Sequence, residues 1–119
     1  MIKGKKYELY IGLKDKSTYE EVFSIEDFIK FLSAYCSEDK IGFSMVTQLG
    51  GYSHDKGYVT ETSLRITLFG IEEEAVQKLG QSLKELVNTD TIMITGEDCE
   101  YGFEWKIGLS LFLYYFVMF

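Results

Sequence analysis

A chain of 119 residues is the size of one domain, and 46% hydrophobic with 16% aromatic residues gives enough apolar surface for a packed core, which excludes a disordered polymer. Nineteen acidic against twelve basic residues leave a formal charge of −7, the wrong sign for duplex nucleic acid, whose phosphates need a broad basic face. The two cysteines, Cys36 and Cys99, have no second Cys or His at ligand spacing, so a zinc ribbon, a CxxC redox motif and a disulfide framework fall away, and neither a metal nor a cofactor is expected.

The charged start "MIKGKKYE" carries no apolar signal segment, so a cytoplasmic protein is expected. Residues 5–13 alternate, with Tyr7, Leu9, Ile11 and Leu13 in one phase and Lys6, Glu8 and Tyr10 in the other, as in a half-buried strand. "LKDKST" breaks that pattern. "SIED" then sets a hydroxyl before a helix with a carboxylate three residues on, much like a capping box. Ile25, Phe28, Ile29, Leu32 and Tyr35 follow at helical spacing, predicting a helix over 25–36.

Residues 42–49 predict a second strand and 58–69 a third, which Gly70 stops. Residues 71–88 predict a second helix, with three glutamates at the positive end of its dipole. Its apolar stripe is Ala75, Val76, Leu79, Leu83, Leu86 and Val87. Gly80 inside it costs about 1 kcal/mol relative to Ala, which points to close packing on a sheet. "TIMIT" (91–95) is short and continuously apolar, predicting a central strand. "CEYGFEWKI" (99–107) alternates again and predicts an added C-terminal strand.

The order β-α-β-β-α-β is the split arrangement of ferredoxin-like α+β folds. It predicts two helices on one face of an antiparallel sheet, with the other face free for a partner or ligand, in a single domain over 1–108. The apolar segment 109–119 is eleven residues long, short of the about 20 that a membrane span requires, so a core or interface tail is expected and no membrane partner. With Tyr101, Phe103 and Trp105 it makes more apolar surface than so small a domain hides by itself. A homo-oligomer, dimer or higher, is therefore expected.

Between strands two and three, "GGYSHDKG" predicts an eight-residue hairpin loop, with Gly50, Gly51 and Gly57 supplying positive φ at its ends. Its length, and the aromatics Tyr52 and Tyr58, exceed what turning requires. His54 beside Asp55 suggests a general base, but sequence neighbours rarely face each other and no motif places a Ser or Cys nucleophile, so a ligand contact is the preferred reading. Glu61 and Arg65, four apart on one strand, share a face. They make either a surface ion pair or a guanidinium held ready for a phosphate or carboxylate. Lys14 and Lys16 either flank a plain turn or bring two amines to an anion site. Glu97, Asp98 and Glu100 read as solvated loop charge, and there is no GxGxxG, Walker loop or internal repeat.

Three stretches, "YIGLKDKST", "GGYSHDKGYVTETSLRI" and "LVNTDTIMIT", resemble a group of short proteins from phages and prophages of Gram-positive bacteria. That group is similar to the Thoeris anti-defence proteins, and the resemblance spans roughly residues 7–103. It implies a sponge that binds a cyclic ADP-ribose-type nucleotide and holds it without cutting it, hence no catalytic residues and no enzyme. It also implies an aromatic side chain stacked on the base, for which Trp105 and Tyr101 are candidates. Asn and Arg side chains would hold the ribose and phosphates, matched here to Asn88 and to the sole arginine, Arg65. A PII-like effector-binding regulator and a ligand-free protein-interaction module are the alternatives, with an enzyme ranked last.

Overall fold

The computed structural model describes residues 1–102; the expectations for Phe103, Trp105, the 1–108 domain limit and the segment 109–119 fall outside the described residues. Six elements follow one another: β1 (Ile2–Gly12), α1 (Ile25–Glu38), β2 (Phe43–His54), β3 (Gly57–Phe69), α2 (Glu73–Val87) and β4 (Met93–Tyr101). The strands form one antiparallel sheet in the order β2-β3-β1-β4, with both helices on one face, which is the ferredoxin-like α+β arrangement.

The pleat divides each strand into two faces. Leu9 pairs with Ile66 of β3 on one side and Ile94 of β4 on the other, and Leu64, Ile66 and Leu68 continue the same face. Phe28 and Leu32 of α1 and Val76, Leu79 and Leu83 of α2 close over it, all fully buried. Each such side chain contributes about 1.5–3 kcal/mol through burial. Gly80 permits α2 to approach: a Cβ there would fall 3.2 Å from Cδ1 of Ile94 and 3.8 Å from Cδ2 of Leu9.

Helix α1 starts with a reciprocal cap. The Asp27 N–H donates to the Ser24 hydroxyl and the Ser24 N–H donates to the Asp27 carboxylate, each at 3.1 Å. Those bonds from Ser24 hold the Asp27 carboxyl below its ordinary range. Helix α2 ends at Asn88, whose left-handed backbone (φ 60°, ψ 53°) reverses the chain.

Two expectations are corrected. Among the described residues the "TIMIT" segment is not central: it leads into β4, the outermost of the four described strands, which runs on through Tyr101 and absorbs the first residues of the expected added strand. Its apolar run reflects Ile92 and Ile94 lying beneath Gly80, not burial on two faces. The eight-residue loop is also absent. β2 and β3 pair to the last step, His54 opposite Gly57, so Asp55 and Lys56 alone make the turn. Only Gly57 has positive φ there (125°); Gly50 and Gly51 are strand residues. They are small for a different reason, since Cβ atoms would meet the Ser63 hydroxyl at 3.1 Å and the Tyr58 ring at 2.8 Å.

Candidate functional site

Even-numbered residues of β1 and β2 and odd-numbered residues of β3 and β4 point away from the helices. Where β1 ends, this open face meets the loop after β1 and the loop before β4, and together they enclose a cleft of about 440 Å³. That volume lies in the range of small-molecule sites. Gly12, Gln48, Gly50, Glu61 and Ser63 form its middle; Tyr52 and His54 stand on the β2 side; Lys16, Asp90, Thr91 and Met93 stand on the β4 side. Neighbouring strands lie about 4.8 Å apart, so the two sides are separated by roughly 14 Å across the sheet.

Glu61 occupies the centre because Gly12 has no side chain. Gly12 pairs with Ser63, and a Cβ on it would fall 2.0 Å from the Glu61 carboxylate. The carboxylate accepts the Lys14 N–H at 2.9 Å, while the Lys14 ammonium donates to the Thr60 carbonyl at 3.2 Å. A charge-assisted bond of this kind is worth about 1.5–3 kcal/mol. Burial first, and then the Glu61 charge, push the Tyr52 phenol up from its usual value, so it is a protonated hydroxyl at neutral pH.

The β1–α1 loop forms a wall because it is tied to the end of α2. Asp15 accepts the Ser17 N–H at 2.7 Å, the Thr18 N–H at 3.2 Å and the Asn88 amide at 3.1 Å. These bonds, that of Asn88 foremost, hold the Asp15 carboxyl below its ordinary range. The Asn88 carbonyl accepts the Lys16 N–H at 3.0 Å, which sets the Lys16 ammonium 3.0 Å from Asp90. Tyr19, with φ of 58°, turns its hydroxyl to 2.7 Å from Nε2 of His54 across the cleft mouth. Nδ1 of His54 accepts the Lys56 N–H at 3.3 Å, so the ring hydrogen sits on Nε2 and is donated to Tyr19.

Of the residues singled out in the sequence, His54 and Tyr52 line the cleft. Tyr58 lies on the opposite face of the hairpin, against Gly51. Arg65 shares the open face but stands behind Tyr10, where its charge acts on Glu8 and Tyr10; its Nε is buried without a hydrogen-bond partner among the described residues. Glu61 is bound to the Lys14 N–H, and the structure does not pair it with Arg65. Asn88 is committed to Asp15 and Ser17, and Tyr101 packs on Phe69 near Gly70, at the other end of the sheet. Gly12, Tyr10, Tyr19 and Asp90 were not singled out as site residues. Among the described residues no group of three or more His, Cys, Asp or Glu is placed to hold a metal ion, and no helix is long and apolar enough to cross a membrane.

No protein-family model matches the chain, and no curated protein matches it. Solved structures do. A phage SAM lyase in complex with S-methyl-5′-thioadenosine is similar with a TM-score of 0.67 and 25% identity, over 80% of this chain and 81% of that one. A phage SAM lyase in the apo state gives 0.65 and 26%, over 81% of each chain. A nitrogen regulatory PII-like protein from Thiomonas intermedia K12, bound to ADP, AMP and bicarbonate, gives 0.48 and 15%, over 85% of this chain and 97% of that one, too distant to carry a functional argument. The two lyase structures overturn the expectation of a protein without catalytic activity: the chain shares its fold over four fifths of its length with an enzyme.

Proposed function

We propose that this chain is a lyase acting on S-adenosylmethionine or a sulfonium nucleoside of that class, releasing S-methyl-5′-thioadenosine. The observation that carries the reading is its likeness, at 25% identity and across most of both chains, to a phage SAM lyase in complex with that nucleoside. A cleft of small-molecule size on the open sheet face supports it. The ligand class thereby moves from a cyclic ADP-ribose-type nucleotide to a sulfonium nucleoside.

The product defines the bond. A sulfonium sulfur bearing methyl, adenosyl and aminocarboxypropyl groups keeps the first two in S-methyl-5′-thioadenosine, so the bond that breaks joins sulfur to Cγ of the amino-acid arm. Its electron pair goes to sulfur and cancels the positive charge. The substrate's own carboxylate oxygen takes Cγ, closing a five-membered lactone with neither water nor a protein nucleophile. Both charges disappear as this happens. Positioning and exclusion of water are then what the protein supplies, worth up to about 7–11 kcal/mol for well-aligned intramolecular groups.

That charge balance decides the role of Glu61. A carboxylate against the sulfonium would stabilise the ground state more than the transition state and slow the reaction. Glu61 therefore serves the ribose, accepting its hydroxyls, while Tyr52 and Tyr19 flank the base. Self-association remains part of the proposal, since the open face presents half-exposed Val46, Phe69 and Met93.

The test is incubation with S-adenosylmethionine followed by chromatography and mass spectrometry. The expected result is S-methyl-5′-thioadenosine with homoserine lactone or its hydrolysis product. Substrate returned intact, or S-adenosylhomocysteine as product, would overturn the reading.

A further inference from the structure

We infer that Lys16 and Asp90 form the subsite for the zwitterionic α-amino-acid end of the ligand and make the cleft selective for nucleosides that carry it. The inference rests on the sulfonium-nucleoside reading above and adds to it a direction and a substrate class. The cleft is ordered across the sheet: Tyr52 and His54 beside β2, Glu61 in its Gly12 notch at the centre, and the Lys16–Asp90 pair beside β4. A nucleoside with its base on the aromatic side and its ribose at Glu61 sends its 5′ substituent toward that pair.

The pair has the matching chemistry. An ammonium lies 3.0 Å from a carboxylate, and an α-amino acid presents the reverse, a carboxylate beside an ammonium. Lys16 faces the former and Asp90 the latter, so a bound amino acid completes a four-charge ring in which each charge meets its opposite. Breaking the existing contact costs little, because its side chains are 47% and 75% exposed and such pairs are nearly isoenergetic with their hydrated ions. Lys16 is nevertheless held in place through its backbone, whose N–H donates to the Asn88 carbonyl. The other lysine lining the cleft among the described residues, Lys14, already donates its ammonium to Thr60, which leaves Lys16, among those residues, as the cation for the arm. A charged hold on the amino acid also aims its carboxylate, the group that must reach Cγ.

Two ligands separate this subsite from the rest of the cleft. S-Methyl-5′-thioadenosine lacks the amino acid, whereas S-adenosylhomocysteine carries it and is not cleaved at a sulfonium. Calorimetric titration of the full chain, and of Lys16→Met and Asp90→Asn, measures both. The expected result is that each variant loses about tenfold or more of its affinity for S-adenosylhomocysteine while its affinity for S-methyl-5′-thioadenosine is unchanged. Equal weakening toward both ligands, or no weakening toward either, would overturn the subsite and leave the lyase reading in place. Binding of neither ligand by the unmodified chain would overturn the lyase reading, and the subsite with it.

Discussion

A side chain at Gly12 would place its Cβ 2.0 Å from Oε1 of Glu61, two strands' backbones thus cooperating to seat one carboxylate. The clash is with the far end of a flexible side chain, so the fold can absorb it and the carboxylate cannot keep its place. Gly12→Ala is expected to lower turnover at least about tenfold, equivalent to about 1.4 kcal/mol, while shifting Tm by less than about 4 °C. Steady-state kinetics beside a thermal melt checks it, and full activity would remove Glu61 from the centre of the site.

Glu61→Gln keeps the shape and removes the charge. If the carboxylate accepts ribose hydroxyls, the variant should bind S-methyl-5′-thioadenosine about tenfold more weakly, since a charged acceptor makes roughly twice the bond of a neutral one. Calorimetry reads this directly, and unchanged affinity would move Glu61 away from the ribose.

The hydroxyl of Tyr19 and Nε2 of His54 meet at 2.7 Å across the cleft mouth. Tyr19→Phe keeps the ring and deletes the contact, so the nucleoside should leave faster, with a dissociation rate raised about three- to tenfold. The stability change should stay within about 1 kcal/mol. Stopped-flow displacement of bound S-methyl-5′-thioadenosine is the measurement; an unaltered rate would mean that this contact does not gate release.

Acid should weaken the loop before it unfolds the core. Asp15 is held below its ordinary value of 3.8 in the folded chain, chiefly by the Asn88 amide. The unfolded chain therefore takes up a proton first as pH falls. The stability that Asp15 contributes is complete above its unfolded value and is lost as pH drops through the folded one. Between about pH 6 and about pH 3, Asp15→Asn should lose less Tm than the unmodified protein. Parallel slopes for the two would refute it.

Gly80→Leu introduces a better helix former at a place with no room for it. A Cβ there already lies 3.2 Å from Ile94, and the remaining atoms must displace Ile92, Ile94 or the helix itself. Denaturant unfolding should show a loss of at least about 1–3 kcal/mol, the usual cost of overpacking, despite the gain in helix propensity of about 1 kcal/mol. A stabilised variant would mean that α2 does not rest on the sheet at this point.

The elements were readable because their signals are local. The period-two alternation of 5–13, the Ser24–Asp27 cap and the apolar stripe of α2 each depend on residues within a few positions of one another. What could not be read is pairing at a distance. Nothing in the run of residues says that Gly12 stands opposite Ser63, so the notch that receives Glu61 was invisible, and the sequence showed only that Glu61 shares a face with Arg65. Gly50 and Gly51 misled for a related reason. A pair of glycines ordinarily means a turn, and here it means space for Ser63 and Tyr58 from the next strand. Edge or centre for β4 likewise depends on strand order, which period alone does not encode.

The place of β1 in the sheet has a consequence for synthesis. β1 is made well before the two strands it lies between, β3 starting at Gly57 and β4 at Met93. A lone strand has no stable partnerless state. At about 5–20 residues per second, β1 waits several seconds for its first neighbour and about two seconds or more beyond that for its second. During that interval Leu9 and Ile11 are exposed apolar side chains in a nascent chain, and the window in which they need shielding is set by translation speed. No prolyl isomerisation lengthens it, because the chain contains no proline.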